Sequence, residues 1–262
     1  MGLALGITLA GLCNAQNAAA GVSIDFEFED ARYLLAWQRQ GARVHVPEQV
    51  GDEPVPLVIF LHGTNSTRQL HAWMSEKSYD LRPLLDDLIG RRAMAPVVFA
   101  APSHTRRANI RHIWDGFDTA AFVARTRAAL GDTAQIDPTR VVLVGHSGAG
   151  CNPNGGLLRA ASRSEPLFGL IALDVCMNAD YGLSLGKSRS ASVGVFWQVE
   201  SWKRDFDEFR SAFLDSRSGF GEALDTFEEV SVPGRDAHNE IVPRVLTLAL
   251  PQLFPPTPAS EP

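Results

Sequence analysis

Basic residues are missing from the start of this chain: the first charged side chain is Asp25 and the first basic one is Arg32. Long apolar runs are missing too. A membrane-spanning helix needs roughly 18 to 20 apolar residues in a row, and Asn14, Gln16 and Asn17 interrupt the longest uncharged stretch. Cysteine is scarce, with three in 262 residues. No Cys/His cluster has zinc spacing and no H-E-x-x-H occurs, so no metal is implied. Neither G-x-G-x-x-G nor G-x-x-x-x-G-K-[ST] is present, which removes the common phosphate-cradling loops and leaves no cofactor implied. An excess of 30 acidic over 24 basic side chains, net −6, argues against a nucleic-acid partner, since such binding needs a basic footprint.

What is present is a hydrophobic content of 45%, enough for a sizeable core. Residues 3–12 form a short apolar run followed by small and amide residues, like the core and exit of a secretory signal without its basic start. The expectation is a signal-like leader over 1–20 and a secreted or periplasmic protein, a leader with no address being the alternative. Residues 251–262 hold five of the 16 prolines and read as an extended, poorly ordered tail. One catalytic domain is expected between them, over 21–250. Without the leader two cysteines remain, Cys151 and Cys176. An even remainder in an exported protein fits a disulfide, with two buried thiols as the alternative.

The domain alternates strand-like and helix-like runs. Residues 26–35 and 42–46 are expected to open the sheet as an antiparallel pair. Val58, Ile59 and Phe60 lie in a continuous apolar run over 57–61, the pattern of a strand buried on both faces. Further strands are predicted over 96–101, 140–144, 167–173, 192–199 and 227–232. Helical spacing is found over 81–89, 119–130, 205–214 and 240–250. Alternation of this kind implies parallel pairing with right-handed crossovers, an α/β fold of three layers. In such sheets chemistry gathers at the carboxyl ends of the strands.

The most informative segment is the strand Val141, Val142, Leu143, Val144 running into Gly145, His146, Ser147, Gly148, Ala149 and Gly150. A buried strand that meets a serine flanked by small residues has the form of a nucleophile elbow, although Ala149 stands where G-x-S-x-G has its second glycine. A serine hydroxyl needs a base. His238, the single histidine after His146, lies in a Pro-Gly loop between the last predicted strand and helix, and is the candidate. The oxyanion of an acyl-transfer intermediate needs two amide donors, each worth on the order of 3 kcal/mol. Gly148 and Thr64 are the candidates, with His62 expected to support the Thr64 loop.

The run from Pro56 through His62 and Gly63, the run from Ile136 through Ser147 and Gly148, and the late His238 together resemble the α/β-hydrolase superfamily. The resemblance spans roughly residues 42–250 and leans toward bacterial secreted esterases and peptidase-like hydrolases. It implies an α/β-hydrolase fold, a mostly parallel sheet with helices on both faces, and a Ser-His-acid triad. Two acids qualify, Asp174 after one strand and Glu200 after the next, where the family's acid more often sits. The compact loop expected after Asp174 favours it slightly. Cys151 and Cys176 fall on units that neighbour each other in this fold, which implies a disulfide between them.

Arg106, Arg107 and Arg111 make residues 104–112 the most basic stretch of the chain, and guanidinium groups bind carboxylates in fork geometry. The expectation is a basic rim for an acidic or polar substrate, an ordinary solvated loop being the alternative. Trp73, Trp114, Trp197 and Trp202 could line an apolar pocket, although aromatics at these spacings are more often core. The resulting reading is a serine hydrolase that cleaves a small-molecule or polymeric ester, or an amide, through an acyl-enzyme. An amidase or peptidase is the nearest rival, and a non-catalytic binding protein on the same fold is the other.

Overall fold

The structure is a computed structural model that describes residues 21–28, 33–77, 79–163, 165–198, 206–217 and 226–256. The leader, Trp202 and Glu200 lie outside the described residues, as does the end of the tail from 257 onward.

Among the described residues eight strands form one sheet: β1 (Val22–Phe26), β2 (Ala42–Val46), β3 (Val55–Leu61), β4 (Val98–Pro102), β5 (Ile136–His146), β6 (Gly169–Leu173), β7 (Ser192–Gln198) and β8 (Thr226–Val230). Their order is β1-β2-β4-β3-β5-β6-β7-β8. β1 and β2, and β2 and β4, pair antiparallel, and every other pairing is parallel. The central strands read as continuous apolar runs because both faces are covered. All seven residues of β3 are buried.

Among the described residues six α-helices supply the cover: α1 (Arg82–Gly90), α2 (Thr119–Leu130), α3 (Gly156–Ala161), α4 (Ala179–Gly186), α5 (Phe206–Arg217) and α6 (Ala237–Leu253). On one face Leu85 and Leu88 of α1 and Val242, Val245 and Leu246 of α6 meet Val58, Phe60 and Val142. On the other, Phe122, Leu157, Leu185, Phe209 and Phe213 meet Leu57, Ile59 and Leu143. Asp118 caps α2 by accepting from the Ala121 amide, and Asn178 caps α4 by accepting from Tyr181.

Three expectations change. The antiparallel partner of β2 is β1 at Val22–Phe26, not the run 26–35: Phe26 is the last residue that pairs with β2, and residues 27–28 are not in a strand. The loop expected over 174–182 is a loop as far as Asn178, and from Ala179 it is helix α4. The packed chain also passes the boundary expected at 250. Pro251 lies within α6, and Phe254 is fully buried, stacked on Phe168 and accepting a 2.9 Å hydrogen bond from Ala95. Trp73, Trp114 and Trp197 are core residues, as expected.

Candidate functional site

The parallel register brings three strand ends level. His146 of β5 pairs with Leu173 of β6, which pairs with Phe196 of β7. The residues that follow, Ser147 and Asp174, therefore emerge side by side at the carboxyl edge of the sheet. Both leave their strands with left-handed backbones, Ser147 at φ 53° and Asp174 at φ 46°. For residues with a Cβ this conformation costs about 1–2 kcal/mol, the strain characteristic of an elbow.

Ser147 opens a 3₁₀ turn, Ser147–Gly150, in which every residue is buried. The chain then leaves helical geometry over Asn152–Gly155 and resumes it in α3. Pro153 lies in this interruption. Asn152 Nδ2–H donates to the Ile113 carbonyl at 3.0 Å, and the Gly156 amide donates to Trp114 at 3.1 Å. The gap thus seats the loop that carries Ile110–His112.

Gly63 lies against the serine. A Cβ built on it would stand 2.5 Å from Ser147 Cβ and 2.9 Å from Oγ, so no side chain fits. A Cβ on Gly148 would lie 3.6 Å from the Thr64 backbone nitrogen and 3.2 Å from Ile110 Cγ1. The two candidate amide donors are therefore neighbours beside Ser147, beneath the 110–113 loop. His62 holds the Thr64 loop. Its Nδ1–H donates to the Gly63 carbonyl at 2.8 Å, and its Nε2 accepts from the His104 amide at 3.0 Å. Its own carbonyl accepts from Trp114 Nε1–H at 2.8 Å. Burial pushes His62 down to about 4, so it is neutral and fixed in one tautomer.

His238 stands in the first turn of α6. Its Nδ1–H donates to Asp174 Oδ2 at 2.5 Å. The Asp174 side chain is fully buried, whereas that of His238 is 37% exposed, so the carboxylate is sealed and the imidazole faces outward. Asp174 is fixed in turn by its amide, which donates to Phe196 at 2.8 Å, and by the Gln198 amide, which donates to its Oδ1 at 3.4 Å.

Cys151 and Cys176 are joined, with Cα atoms 4.9 Å apart. The Cys176 amide donates to Cys151 Sγ, and Tyr181 Oη–H donates to the Cys151 carbonyl at 3.0 Å. The bridge ties the turn after Ser147 to the segment after Asp174. Arg106, Arg107 and Arg111 are all exposed, on the loop that covers Gly148. Arg106 donates its Nε–H to the Leu34 carbonyl at 2.8 Å and braces the loop, which leaves Arg107 and Arg111 as its outward cations.

Sequence reasoning passed over His146, Ile110 and Ile113. His146 is 2% exposed and its Nε2 lies 2.7 Å from the His238 carbonyl. Its position as the residue before the serine, at a strand end, was the available signal. The two isoleucines had no signal, since only the fold brings them to Gly148.

A parallel sheet with helices on both faces and a strained serine turn at its carboxyl edge defines a hydrolase-type α/β protein. The chain belongs to the alpha/beta hydrolase family, whose model matches residues 58–260. Solved structures agree on the fold. A ferulic acid esterase is 14% identical with a TM-score of 0.60, over 90% of this chain and 98% of that one. The feruloyl esterase module from Clostridium thermocellum is 11% identical with a TM-score of 0.61, over 90% and 88%. An S-formylglutathione hydrolase from Agrobacterium tumefaciens is 14% identical with a TM-score of 0.56, over 88% and 93%. No curated protein matches by sequence.

Proposed function

We propose that this protein is a serine hydrolase of carboxylic esters, with Ser147 as nucleophile, His238 as base and Asp174 as the acid that orients it. The observation that carries the reading is the 2.5 Å contact between His238 Nδ1–H and the buried Asp174 carboxylate, at the strand end beside Ser147. With Nδ1–H committed to Asp174, Nε2 is the nitrogen that takes the Ser147 proton as Oγ attacks the ester carbonyl. The amides of Thr64 and Gly148 receive the developing oxyanion. His238 then gives its proton to the leaving alkoxide, an acyl-enzyme remains on Ser147, and a water deprotonated by His238 releases the acid. Asp174 stabilises the imidazolium at both stages.

The esterase names carried by several structures of this fold favour an ester over an amide. Arg107 and Arg111 form a basic rim that favours an acidic or polar substrate. The Cys151–Cys176 bridge supports an oxidising compartment, hence secretion or the periplasm. Among the described residues no helix is long and apolar enough to cross a membrane.

A fluorophosphonate probe tests the reading. The wild type should be labelled at Ser147 and hydrolyse p-nitrophenyl acetate, and Ser147→Ala should do neither. An unlabelled, inactive wild type overturns it.

A further inference from the structure

We propose that His146 is a positioning residue, whose ring holds the backbone and imidazole of His238 in register with Ser147; this rests on the roles given to those two residues above. His146 ends β5 and precedes Ser147 directly. Its Nε2 is 2.7 Å from the His238 carbonyl oxygen. A carbonyl only accepts, so Nε2 carries the proton and donates. The two rings also face each other, with centroids 4.7 Å apart and planes 39° from parallel. On another side the Trp73 ring meets His146 edge-on at 5.5 Å. One buried side chain therefore grips the base by its main chain and by its ring, while its own main chain leads into the nucleophile.

The first turn of α6 is closed by the Asn239 and Glu240 amides, which donate to the Asp236 carbonyl at 2.8 and 3.0 Å, and by Asn239 Nδ2–H, which donates to Asp236 Oδ1 at 2.7 Å. None of these bonds ties the turn to the sheet, and its N-cap Asp236 makes no side-chain capping bond. Two hydrogen bonds of His238 reach the strand ends, from Nδ1–H to Asp174 on β6 and at the carbonyl to His146 on β5. The first orients the ring, and the second fixes the Cα from which the ring hangs. Together they set the angle of the base against the serine.

The protonation state suits the task. His146 faces His238 from α6, Asp174 from the end of β6, His62 from the end of β3, and Trp73. Burial and the neighbouring His238 hold it at about 3, so it is neutral wherever His238 works as a base. Its Nδ1 is buried with no hydrogen-bond partner among the described residues, which fits one N–H and not two. A second cation against the His238 ring would oppose formation of the imidazolium, so the position calls for a flat ring with a single donor.

The test compares His146→Leu, which fills the space without a donor, and His146→Gln, whose amide N–H can reach the same carbonyl. Turnover of p-nitrophenyl acetate is measured beside the wild type and Ser147→Ala. A misplacement of about 1 Å costs on the order of 100-fold. The Leu variant should therefore lose about 10- to 100-fold in kcat with KM within about twofold, and the Gln variant should regain most of the loss. A Leu variant with wild-type kcat, or Leu and Gln variants that lose equally, overturns the proposal while leaving the serine-hydrolase reading intact. A wild type that neither turns over the ester nor takes the fluorophosphonate overturns both. Should the variants fail to fold, the wild type still decides through a long-range 1H–15N spectrum of His146. Protonated Nε2 and bare Nδ1 between pH 5 and 8 support the role; the opposite tautomer or a cation refutes it.

Discussion

Gly63→Ala is the substitution whose outcome the structure constrains most tightly. A methyl group there would begin 2.5 Å from Ser147 Cβ, 2.9 Å from its Oγ and 3.2 Å from the His146 carbonyl. Carbon atoms in comfortable contact stand about 3.5–4.0 Å apart, so the pair must separate by roughly 1 Å. Neither side can yield easily. Behind Gly63, His62 is locked by three hydrogen bonds, and behind Ser147 the elbow is strained and wholly buried. Overpacking a tight interior typically costs about 1–3 kcal/mol, which for a chain of this size lowers Tm by roughly 2–12 °C. The kinetic effect should be larger, because the displaced atoms are those of Ser147, the proposed nucleophile, and of the Thr64 amide, its proposed oxyanion donor. A shift of about 1 Å at reacting atoms predicts a fall in kcat on the order of 100-fold. Steady-state hydrolysis of p-nitrophenyl acetate, the rate of fluorophosphonate labelling and a thermal melt should be recorded on the same preparation. A variant that melts a few degrees early and labels slowly agrees with the geometry. One that keeps both wild-type kcat and wild-type Tm would refute the close approach of Gly63 to the serine.

Asp174→Asn should keep the fold, since asparagine tolerates the left-handed backbone that Asp174 adopts, and should lower kcat by about 10⁴-fold; a rate within threefold of wild type would move the search to Glu200→Gln. Replacing both bridged cysteines with serine frees a 25-residue separation in the unfolded chain, and should cost about 3 kcal/mol, or roughly 10 °C in Tm. Unchanged melting would contradict that. His62 and His146 sit at about 4 and about 3 against an ordinary 6.5. Below pH 6.5 the unfolded chain takes up protons that the folded one refuses, so their share of stability is whole above 6.5 and drains away as pH falls toward 4 and 3. Near pH 5 the two together should cost about 4 kcal/mol, and urea midpoints at pH 7.5 and 5 will show it. Equal midpoints would mean that these rings are not buried as described.

Most of the sheet could be read in the residues because burial on both faces writes itself as an unbroken apolar run. β3, β5, β6 and β7 fall within a residue or two of their expected places, although β5 begins four residues earlier, at Ile136. The elbow was legible for a steric reason: a serine that must sit at φ 53° tolerates only small neighbours. What failed was whatever depends on a partner distant in sequence. α4 carries Gly182 and Gly186, poor helix formers, and so reads as a loop. Those glycines are there because α5 lies against them, with the Phe209 carbonyl 2.3 Å from where a Cβ of Gly182 would be. The choice between Asp174 and Glu200 was open for the same reason. Proximity of a carboxylate to His238 is set by the docking of α6, which no local pattern encodes. Phe254 was assigned to the tail because five prolines dominate its composition, while its burial against Phe168 and Arg140 is a tertiary fact.

The order in which the chain supplies the site has its own consequence. Gly63 and Thr64 come first, then Ser147 and Gly148, then Asp174, and His238 only 64 residues after its acid. His238 arrives on the helix whose Ile241, Val242, Val245 and Leu246 cover one face of the core together with α1. The same helix therefore covers the core and carries His238. Under the proposed roles, a nascent or clipped chain that lacks α6 would hold Ser147 without its base. Under the proposed mechanism, catalytic turnover counts fully folded molecules and nothing else.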